Sequence, residues 1–192
     1  MLATPTAESE TNLIHQAQQG DRSAYGELVQ RHYAEVVRVV YRLCGDTALA
    51  EDAAQEAFLR AWVKLPAFQA TSPLRNWLFR IAVNAALDVL RRRPEEQLEE
   101  EQILLVPDPG LGPESALIEK EQADSVQRAI RSLPEAARSV LVLREYGELS
   151  YQEISSVLDI PVGTVMSRLN YARTRLREDL KRYFLYLESE ND

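Results

Sequence analysis

Cysteine, histidine and glycine are scarce in this sequence of 192 residues, which contains one Cys, two His and seven Gly. The single cysteine, Cys44, cannot form an internal disulfide, which is typical of a protein in a reducing compartment. His15 and His32 do not have the spacing of a zinc site, and the sequence contains no glycine-rich phosphate loop and no nucleophile elbow. We therefore expect no catalytic site, no bound metal and no cofactor.

Long hydrophobic runs are also missing. No unbroken run, including the one from Ile103 to Pro107, exceeds five residues, whereas a transmembrane helix needs about 20 apolar residues. The opening sequence MLATPTAESETNLIHQAQQG has neither a basic start nor an apolar core, so it is not typical of a secretory signal. We expect a cytoplasmic protein with no direct membrane insertion.

Strand patterns are nearly absent, because no alternation of β-branched residues extends beyond four positions, while apolar residues recur at helical spacing throughout. The segment Pro94–Pro113 contains four prolines, two glycines and a cluster of acidic residues, which is typical of an extended, flexible linker. We predict an all-α protein with two small helical domains, residues 10–93 and 113–183, joined by an acidic linker at 94–112 and followed by a tail at 184–192.

The net charge of −8 argues at first against nucleic-acid binding, but the charge is unevenly distributed. Between Glu95 and Asp124 the sequence has ten acidic residues and one basic residue, whereas between Val162 and Arg182 it has six basic and two acidic residues. Because salt limits the reach of an exposed charge to about 10 Å, the basic segment can bind phosphate within an acidic protein.

Three helices are predicted in the first domain. The first runs from about Ala24 to Leu43 and is capped by Asp21 or Ser23, the second begins at Asp46 or Thr47 and ends at Pro66, and the third spans Leu74 to Arg93. Small apolar residues line one face of the second helix, and the opposite face carries Asp52, Gln55, Glu56 and Leu59. We interpret that opposite face as a protein-docking surface; the alternative is ordinary solvated surface.

The third helix carries Arg80, Asn84 and Arg91 on one face. Asparagine is a mediocre helix former whose amide both donates and accepts hydrogen bonds, which suits a nucleobase edge. Phe68, in the preceding loop, is a candidate to support a base, although an aromatic residue there can equally belong to the core.

The second domain is predicted to end in a helix-turn-helix. Ser150 and Glu153 have the spacing of a capping box, which starts a short helix, and Asp159-Ile160-Pro161 separates it from a long helix that begins at Val162. The first turns of such a second helix contact the major groove. The candidates for base or phosphate contact are Gly163, Thr164, Met166, Ser167, Arg168, Asn170 and Tyr171, with Arg173, Arg175 and Arg177 placed for the phosphate backbone. The alternative is a helical hairpin with a solvated basic face.

Four motifs together resemble the extracytoplasmic-function group of sigma factors, over about residues 20–182. They are GDRSAYGELVQRHY from Gly20, AEDAAQEAFLRAW from Ala50, NWLFRIAVNAALDVLRRR from Asn76, and SLPEAARSVLVLREYGELSYQEISSVLDIPVGTVMSRLNYARTRLRE from Ser132. The order of the four motifs, with a variable acidic linker ahead of the fourth, makes the resemblance specific.

The resemblance implies a role for each candidate surface. Asp52, Gln55, Glu56 and Leu59 correspond to the surface that binds core RNA polymerase. Phe68, Arg80, Asn84 and Arg91 correspond to the part that captures an unstacked base of the promoter −10 element. Thr164, Ser167, Arg168, Tyr171, Arg173 and Arg175 correspond to the −35 recognition helix. Met166 and Tyr171 depart from basic residues that are common at these positions. A separate anti-sigma factor, often membrane-anchored, is a further partner that the resemblance implies.

Two other functions compete with an alternative sigma factor at this point. One is a stand-alone helix-turn-helix regulator that binds duplex DNA as a dimer through residues 113–183, with residues 10–93 as a sensor. The other is a helical adaptor with no role in nucleic-acid binding. A sigma factor is expected to bind core polymerase one to one, and promoter DNA only within that complex.

Overall fold

The computed structural model describes residues 7–92 and 113–190, and within these ranges the chain forms eight α-helices and no β-strand. The predicted all-α architecture is confirmed. The helices are α1 (Ala7–Gln18), α2 (Arg22–Cys44), α3 (Thr47–Lys64), α4 (Leu74–Arg92), α5 (Pro113–Ser132), α6 (Glu135–Glu145), α7 (Tyr151–Leu158) and α8 (Val162–Glu190). A single 3-10 turn, Leu65–Ala67, follows α3.

Local sequence signals fix the ends of α2 and the start of α3. Asp21 caps α2, because its Oδ1 accepts hydrogen bonds from the backbone N of Ser23 at 2.8 Å and of Ala24 at 3.1 Å. Gly45 ends α2 in the left-handed region, with φ of 73°, where a residue with a Cβ is strained. Asp46 then caps α3 through the backbone N of Leu49, at 2.8 Å.

The helix α1 was not predicted from the sequence. It is mostly polar, and it packs on α2 through the buried side chains of Ile14 and Ala17. His32 Nε2 also lies 2.8 Å from Glu10 Oε1, which joins the two helices. A short helix of this kind owes its stability to tertiary contacts more than to its own propensity, so its sequence carries little signal.

The first domain packs α2, α3 and α4 around a common core. Alanines on α3 allow close approach of the neighbouring helices, and the fully buried side chains of Val39, Leu43 and Phe79 fill the centre. In the second domain, α6 and α7 pack against the first half of α8. The apolar stripe predicted on α8 is buried at Val165, Leu169 and Ala172.

The two domains lie against each other, an arrangement that the sequence did not indicate. Buried residues of both domains form one continuous cluster, and α2 contacts α5 and α6, while α4 contacts α7. Arg138 of α6 donates to the carbonyl of Leu43 in the first domain at 3.0 Å and to the carbonyl of Arg131 in the second at 2.8 Å. Burial lowers the pKa of this guanidinium. Arg42 and Gln127 also bond across the interface, from Arg42 Nη1 to Gln127 Oε1 at 3.0 Å.

The predicted acidic linker, residues 94–112, lies outside the described residues, so its interpretation stays a prediction. The predicted tail at 184–192 likewise stays a prediction, and the backbone there continues α8 as far as Glu190. No glycine or proline follows Arg182, and therefore nothing in the local sequence ends the helix.

Candidate nucleic-acid interface

The predicted docking strip on α3 is exposed. Asp52, Gln55, Glu56 and Leu59 all point to solvent, and the opposite face of the helix is buried. Leu59 keeps 64% of its surface exposed, although it is a large apolar side chain. Val63, one turn further along the helix, is 77% exposed and extends the strip. Sequence reasoning missed Val63, although its position four residues after Leu59 was a usable signal.

An apolar groove of about 500 Å³ runs beside this strip. Its walls include Tyr25, Tyr33, Phe58 and Trp62, and Leu59 stands at its edge. The rings of Tyr25 and Trp62 are 4.8 Å apart, and the Tyr25 hydroxyl donates to the Phe58 carbonyl. Burial raises the pKa of Tyr25 to about 12, so the phenol stays neutral. The groove and the adjacent carboxylates form a surface suited to a partner helix with apolar and basic side chains.

The predicted −10 residues on α4 occupy different environments. Arg80 and Asn84 are exposed one turn apart. Phe68 is only 8% exposed, because its ring packs 4.9 Å from that of Trp77. The structure therefore places Phe68 beneath the loop 69–73 rather than on its surface. Arg91 bonds Glu135 of the second domain, with Nε 3.3 Å from Oε2, so a phosphate would compete with that carboxylate for it.

A second cleft, of about 470 Å³, lies where the two domains meet. One wall consists of the loop 71–73 with Asn76, Trp77 and Arg80 of α4, and the other consists of α7 residues. Asn76 is 7% exposed, and its Nδ2 donates to Glu153 Oε1 at 2.9 Å. Next to it, Arg75 bonds the Gly147 carbonyl and the Glu35 carboxylate. Neither Arg75 nor Asn76 was a predicted site residue, since their partners lie in distant parts of the sequence.

The capping box that starts the helix-turn-helix is confirmed. The Ser150 hydroxyl accepts from the backbone N of Glu153 at 3.3 Å, while Glu153 Oε2 accepts from the backbone N of Ser150 at 2.8 Å. The hydrogen bond from Asn76, followed by those from Ser150, holds the pKa of the Glu153 carboxyl below its usual value. Asp159 then turns the chain in the left-handed region, with φ of 54°.

The predicted −35 residues lie along the outer side of α8. Thr164 and Arg168 are half-buried, whereas Ser167, Tyr171, Arg173 and Arg175 are exposed. Two of these arginines already have a carboxylate partner, since Arg173 lies 2.8 Å from Glu145 and Arg175 lies 3.3 Å from Glu178. The hydroxyl of Ser167 donates to the carbonyl of Thr164 at 3.1 Å.

Within residues 7–92 and 113–190, no three or more potential metal ligands come together, and no helix combines the length and apolar content that crossing a membrane requires.

Comparison with known families matches both domains. The family Sigma-70 region 2 matches residues 28–95, and Sigma-70, region 4 matches residues 123–176. Together these segments cover more than half of the chain.

The chain is also similar to individual proteins over nearly its full length. It is 34% identical over 178 residues to the ECF RNA polymerase sigma factor SigW of Bacillus subtilis, a match that covers 88% of this chain and 95% of SigW. It is 37% identical over 172 residues to the ECF RNA polymerase sigma-E factor of Escherichia coli strain K12, with 84% and 88% of the two chains covered. Among solved structures, CnrH in complex with the cytosolic domain of CnrY matches with a TM-score of 0.68 and 26% identity, over 90% of this chain and 97% of that one.

Proposed function

The chain belongs to the extracytoplasmic-function sigma factors of the sigma-70 family, and we propose which of its surfaces binds core polymerase, which binds the −10 element and which binds the −35 element. It is an alternative sigma factor, which binds core RNA polymerase and directs transcription initiation at promoters. The family membership does not favour a stand-alone helix-turn-helix regulator.

Sigma factors are non-catalytic initiation factors. The chain accordingly acts without enzymatic activity of its own and without a cofactor. Its partners are core RNA polymerase and promoter DNA, and its place of action is the cytoplasm, where both partners are found.

One observation best supports separate surfaces for core polymerase and for promoter DNA. In the described part of the chain, the large apolar side chains that remain exposed are Leu59, Val63, Met166 and Tyr171. Two lie on the α3 strip and two lie on the first turns of α8. Exposed apolar groups that are clustered rather than scattered are typical of interaction sites. Leu59 and Val63 are one turn apart and form such a cluster, which supports an interaction surface on α3, while Met166 and Tyr171 mark a second exposed region near the start of α8.

The α3 strip, defined by Asp52, Gln55, Glu56 and Leu59, binds core polymerase. Its carboxylates steer a basic partner surface, and Leu59 supplies apolar contact that becomes buried on binding. The groove beside it, lined by Tyr25 and Trp62, accommodates additional apolar side chains of the same partner.

The exposed face of α4 binds the −10 element. Asn84 offers a donor and an acceptor to an extruded base, and Arg80 is one turn away for the neighbouring phosphate. Phe68 supports the loop from below through Trp77, and Arg91 reaches DNA after it exchanges Glu135 for phosphate.

The start of α8 binds the −35 element. Arg168 is placed to read a guanine, Thr164, Ser167 and Tyr171 contact adjacent bases or phosphates, and Arg173 and Arg175 bind the backbone. Contacts of Arg173 and Arg175 with phosphate release counterions, so their contribution is expected to fall as salt rises, and each arginine exchanges its carboxylate partner for phosphate on binding.

An anti-sigma factor is the further partner. The similar protein CnrH is described in complex with the cytosolic domain of CnrY, which supports a further protein partner for this chain. The α3 strip and its groove are the surface at which that partner would compete with polymerase.

Reconstitution tests the whole assignment. Purified chain and core polymerase are expected to co-elute one to one, and a promoter fragment is expected to bind only to that complex. If the chain alone binds a palindromic duplex with high affinity and does not co-elute with core polymerase, the stand-alone regulator is supported instead.

A further inference from the structure

Gln18, the last residue of α1, holds the start of the loop next to the proposed −10 site. Its side-chain Nε2 donates to the Phe68 carbonyl at 2.8 Å and to the Leu65 carbonyl at 3.2 Å. These partners lie 50 and 47 residues away in the sequence, respectively. Gln18 is half-buried, so both hydrogen bonds are partly shielded from water.

The two carbonyls mark the point where the helical chain becomes a loop. Carbonyl groups at a helix end lack a partner within the helix, and the turn Leu65–Ala67 closes with a bond from the Phe68 backbone N to the Leu65 carbonyl at 3.0 Å. At Phe68 the backbone becomes extended, with ψ of 125°. The ring of Phe68 also packs against Trp77. Through these two hydrogen bonds, the side-chain amide of Gln18 holds the backbone in place at the start of the loop 69–73. It also holds the Phe68–Trp77 ring pair below the loop.

We propose that Gln18 is a positioning residue for −10 recognition, and that α1 therefore contributes to promoter selectivity although it makes no contact with the extruded base. The proposal rests on the proposed −10 function of the α4 face. The helix α1 lies outside the segment that matches Sigma-70 region 2, which begins at residue 28.

Three substitutions separate hydrogen-bond donation from packing. Gln18→Met keeps the shape and removes the donor, Gln18→Glu points a carboxylate at two carbonyl oxygens, and Gln18→Lys keeps a donor. The readout is open-complex formation by reconstituted holoenzyme at promoters that differ at one −10 position at a time. Gln18→Met is expected to reduce discrimination between the preferred and the altered promoters roughly three- to tenfold, which corresponds to losing about one net hydrogen bond. Gln18→Glu is expected to reduce this discrimination further, whereas Gln18→Lys is expected to retain most of the discrimination of the parent.

Gln16→Met is the matched control, because Gln16 is exposed on the same helix. Unchanged discrimination by Gln18→Met would overturn the proposal. An equal loss at every promoter, with discrimination preserved, would also overturn it, since that result indicates only a weaker fold. The proposed −10 site has a separate test: if Asn84→Ala leaves melting unchanged, that site is wrong whatever the Gln18 variants do.

A second, independent observation concerns Met166 at the start of α8. Met166 is 54% exposed, and the side chain one turn further along α8, Asn170, is polar and exposed. It is the fifth residue of the helix, within the first turns that enter the major groove. Ser167 turns its hydroxyl back to the Thr164 carbonyl, and Arg173, which lies on the same side as Met166, is held by Glu145. Met166 is thus an exposed apolar side chain at the start of the helix, and two polar side chains near it, Ser167 and Arg173, already have partners within the protein.

The geometry points to Met166 as the contact for a thymine 5-methyl group in the −35 element. Thymine presents the one methyl group among the standard bases in the major groove, and apolar side chains contact it. A flexible, polarisable thioether adapts to its position. The inference deepens the proposed −35 function by naming a base.

Deoxyuridine tests this contact, because it differs from thymidine only by the missing methyl group. Each −35 thymidine is replaced in turn, and holoenzyme affinity is measured. The affinity of the parent holoenzyme is expected to fall about threefold when the thymidine at one position is replaced. The affinity of Met166→Ala should not change at that position, and that of Met166→Leu should fall by a smaller factor than the parent's. If no thymidine replacement lowers the affinity of the parent, or if the same replacement lowers the affinity of Met166→Ala equally, the contact is rejected. If affinity does not depend on the −35 sequence at all, the proposed −35 site itself is rejected.

Discussion

Asn76 of the first domain donates a hydrogen bond to Glu153 of the helix-turn-helix, with 2.9 Å between Nδ2 and Oε1. The carboxylate that caps α7 is thus also bonded to the helix that carries the proposed −10 face. The −10 and −35 elements are about 25 base pairs apart, which is about 85 Å of duplex at roughly 3.4 Å per pair. A compact domain of some 80 residues has a radius of gyration of only about 12 Å. For the two proposed sites to bind these elements together, the contact between the domains has to break first.

Removing the polar contacts that the start of α4 makes through Arg75 and Asn76 is expected to open the free protein. The double variant Arg75→Ala/Asn76→Ala loses the bonds to Gly147, Glu35 and Glu153. Small-angle scattering should show a radius of gyration that rises from about 16 Å, expected for a compact chain of this length, to a clearly larger value. Arg128→Ala is the control, since Arg128 is exposed on α5. Identical scattering from the double variant and the parent would show that the remaining contacts, apolar ones and the polar ones of Arg42, Arg91 and Arg138, are enough to hold the domains together.

The depressed pKa of Glu153 predicts acid sensitivity. The carboxylate is bonded by Asn76 and Ser150 in the folded chain, which lowers its pKa, whereas in the unfolded chain the pKa is the ordinary value of about 4.3. Its stabilising contribution is therefore complete above the unfolded pKa and is lost as pH falls through the folded pKa. The free energy of unfolding of Asn76→Ala, measured by urea titration, should depend less on pH in this range than that of the parent. The same pH dependence in both proteins would argue against the contribution of Asn76.

Signals that act over a few residues were predictable from the sequence. The cap at Asp21 and the capping box of Ser150 and Glu153 join residues two or three positions apart, and helical periodicity identified the buried stripe of α8. The exposure of the α3 strip followed from the same periodicity. In each case the pattern within one helix decides the outcome.

Relationships between distant segments were not predictable. Arg138 reaches the carbonyl of Leu43, 95 residues away, and its sequence context does not distinguish it from a solvated arginine. The burial of Phe68 depends on Trp77 packing against it, and the role of Gln18 depends on where α1 lies. None of these contacts has a period or spacing in the sequence, because the tertiary fold creates them.

Charge reversal on the α3 strip should weaken binding to core polymerase. Glu56 is half-exposed and forms an i,i+4 pair with Arg60 at 2.8 Å. An exposed pair of this kind contributes about 0.5 kcal/mol or less to stability, so Glu56→Lys should fold normally and lose tenfold or more in affinity if the strip is an interface. Glu27→Lys is a close control, because Glu27 forms the same kind of pair with Arg31 on α2. Equal affinities of both variants and the parent in a titration would reject the docking assignment.

Two arginines of α8 are expected to behave differently. Arg168→Ala should lose about 1–3 kcal/mol of binding and relax the preference at one or two −35 positions. Arg175→Ala should weaken all sequences alike and reduce the slope of log affinity against log salt by about 1. Affinities of the holoenzyme for a set of −35 variants at several salt concentrations measure both effects. Equal, sequence-independent losses would make Arg168 a phosphate contact.

Asn84→Ala addresses promoter melting, for which the energy must come from binding. Extruding a base costs a few kcal/mol, and edge hydrogen bonds and stacking, the latter worth about 1–3 kcal/mol, can offset that cost. Asn84 is exposed on α4, and alanine is a better helix former than asparagine by some tenths of a kcal/mol, so the variant should be at least as stable as the parent. A loss of open complexes therefore cannot be attributed to unfolding. We expect less 2-aminopurine fluorescence at one −10 position, with core binding and −35 affinity unchanged. If the variant melts the promoter as well as the parent does, the extruded base is bound elsewhere.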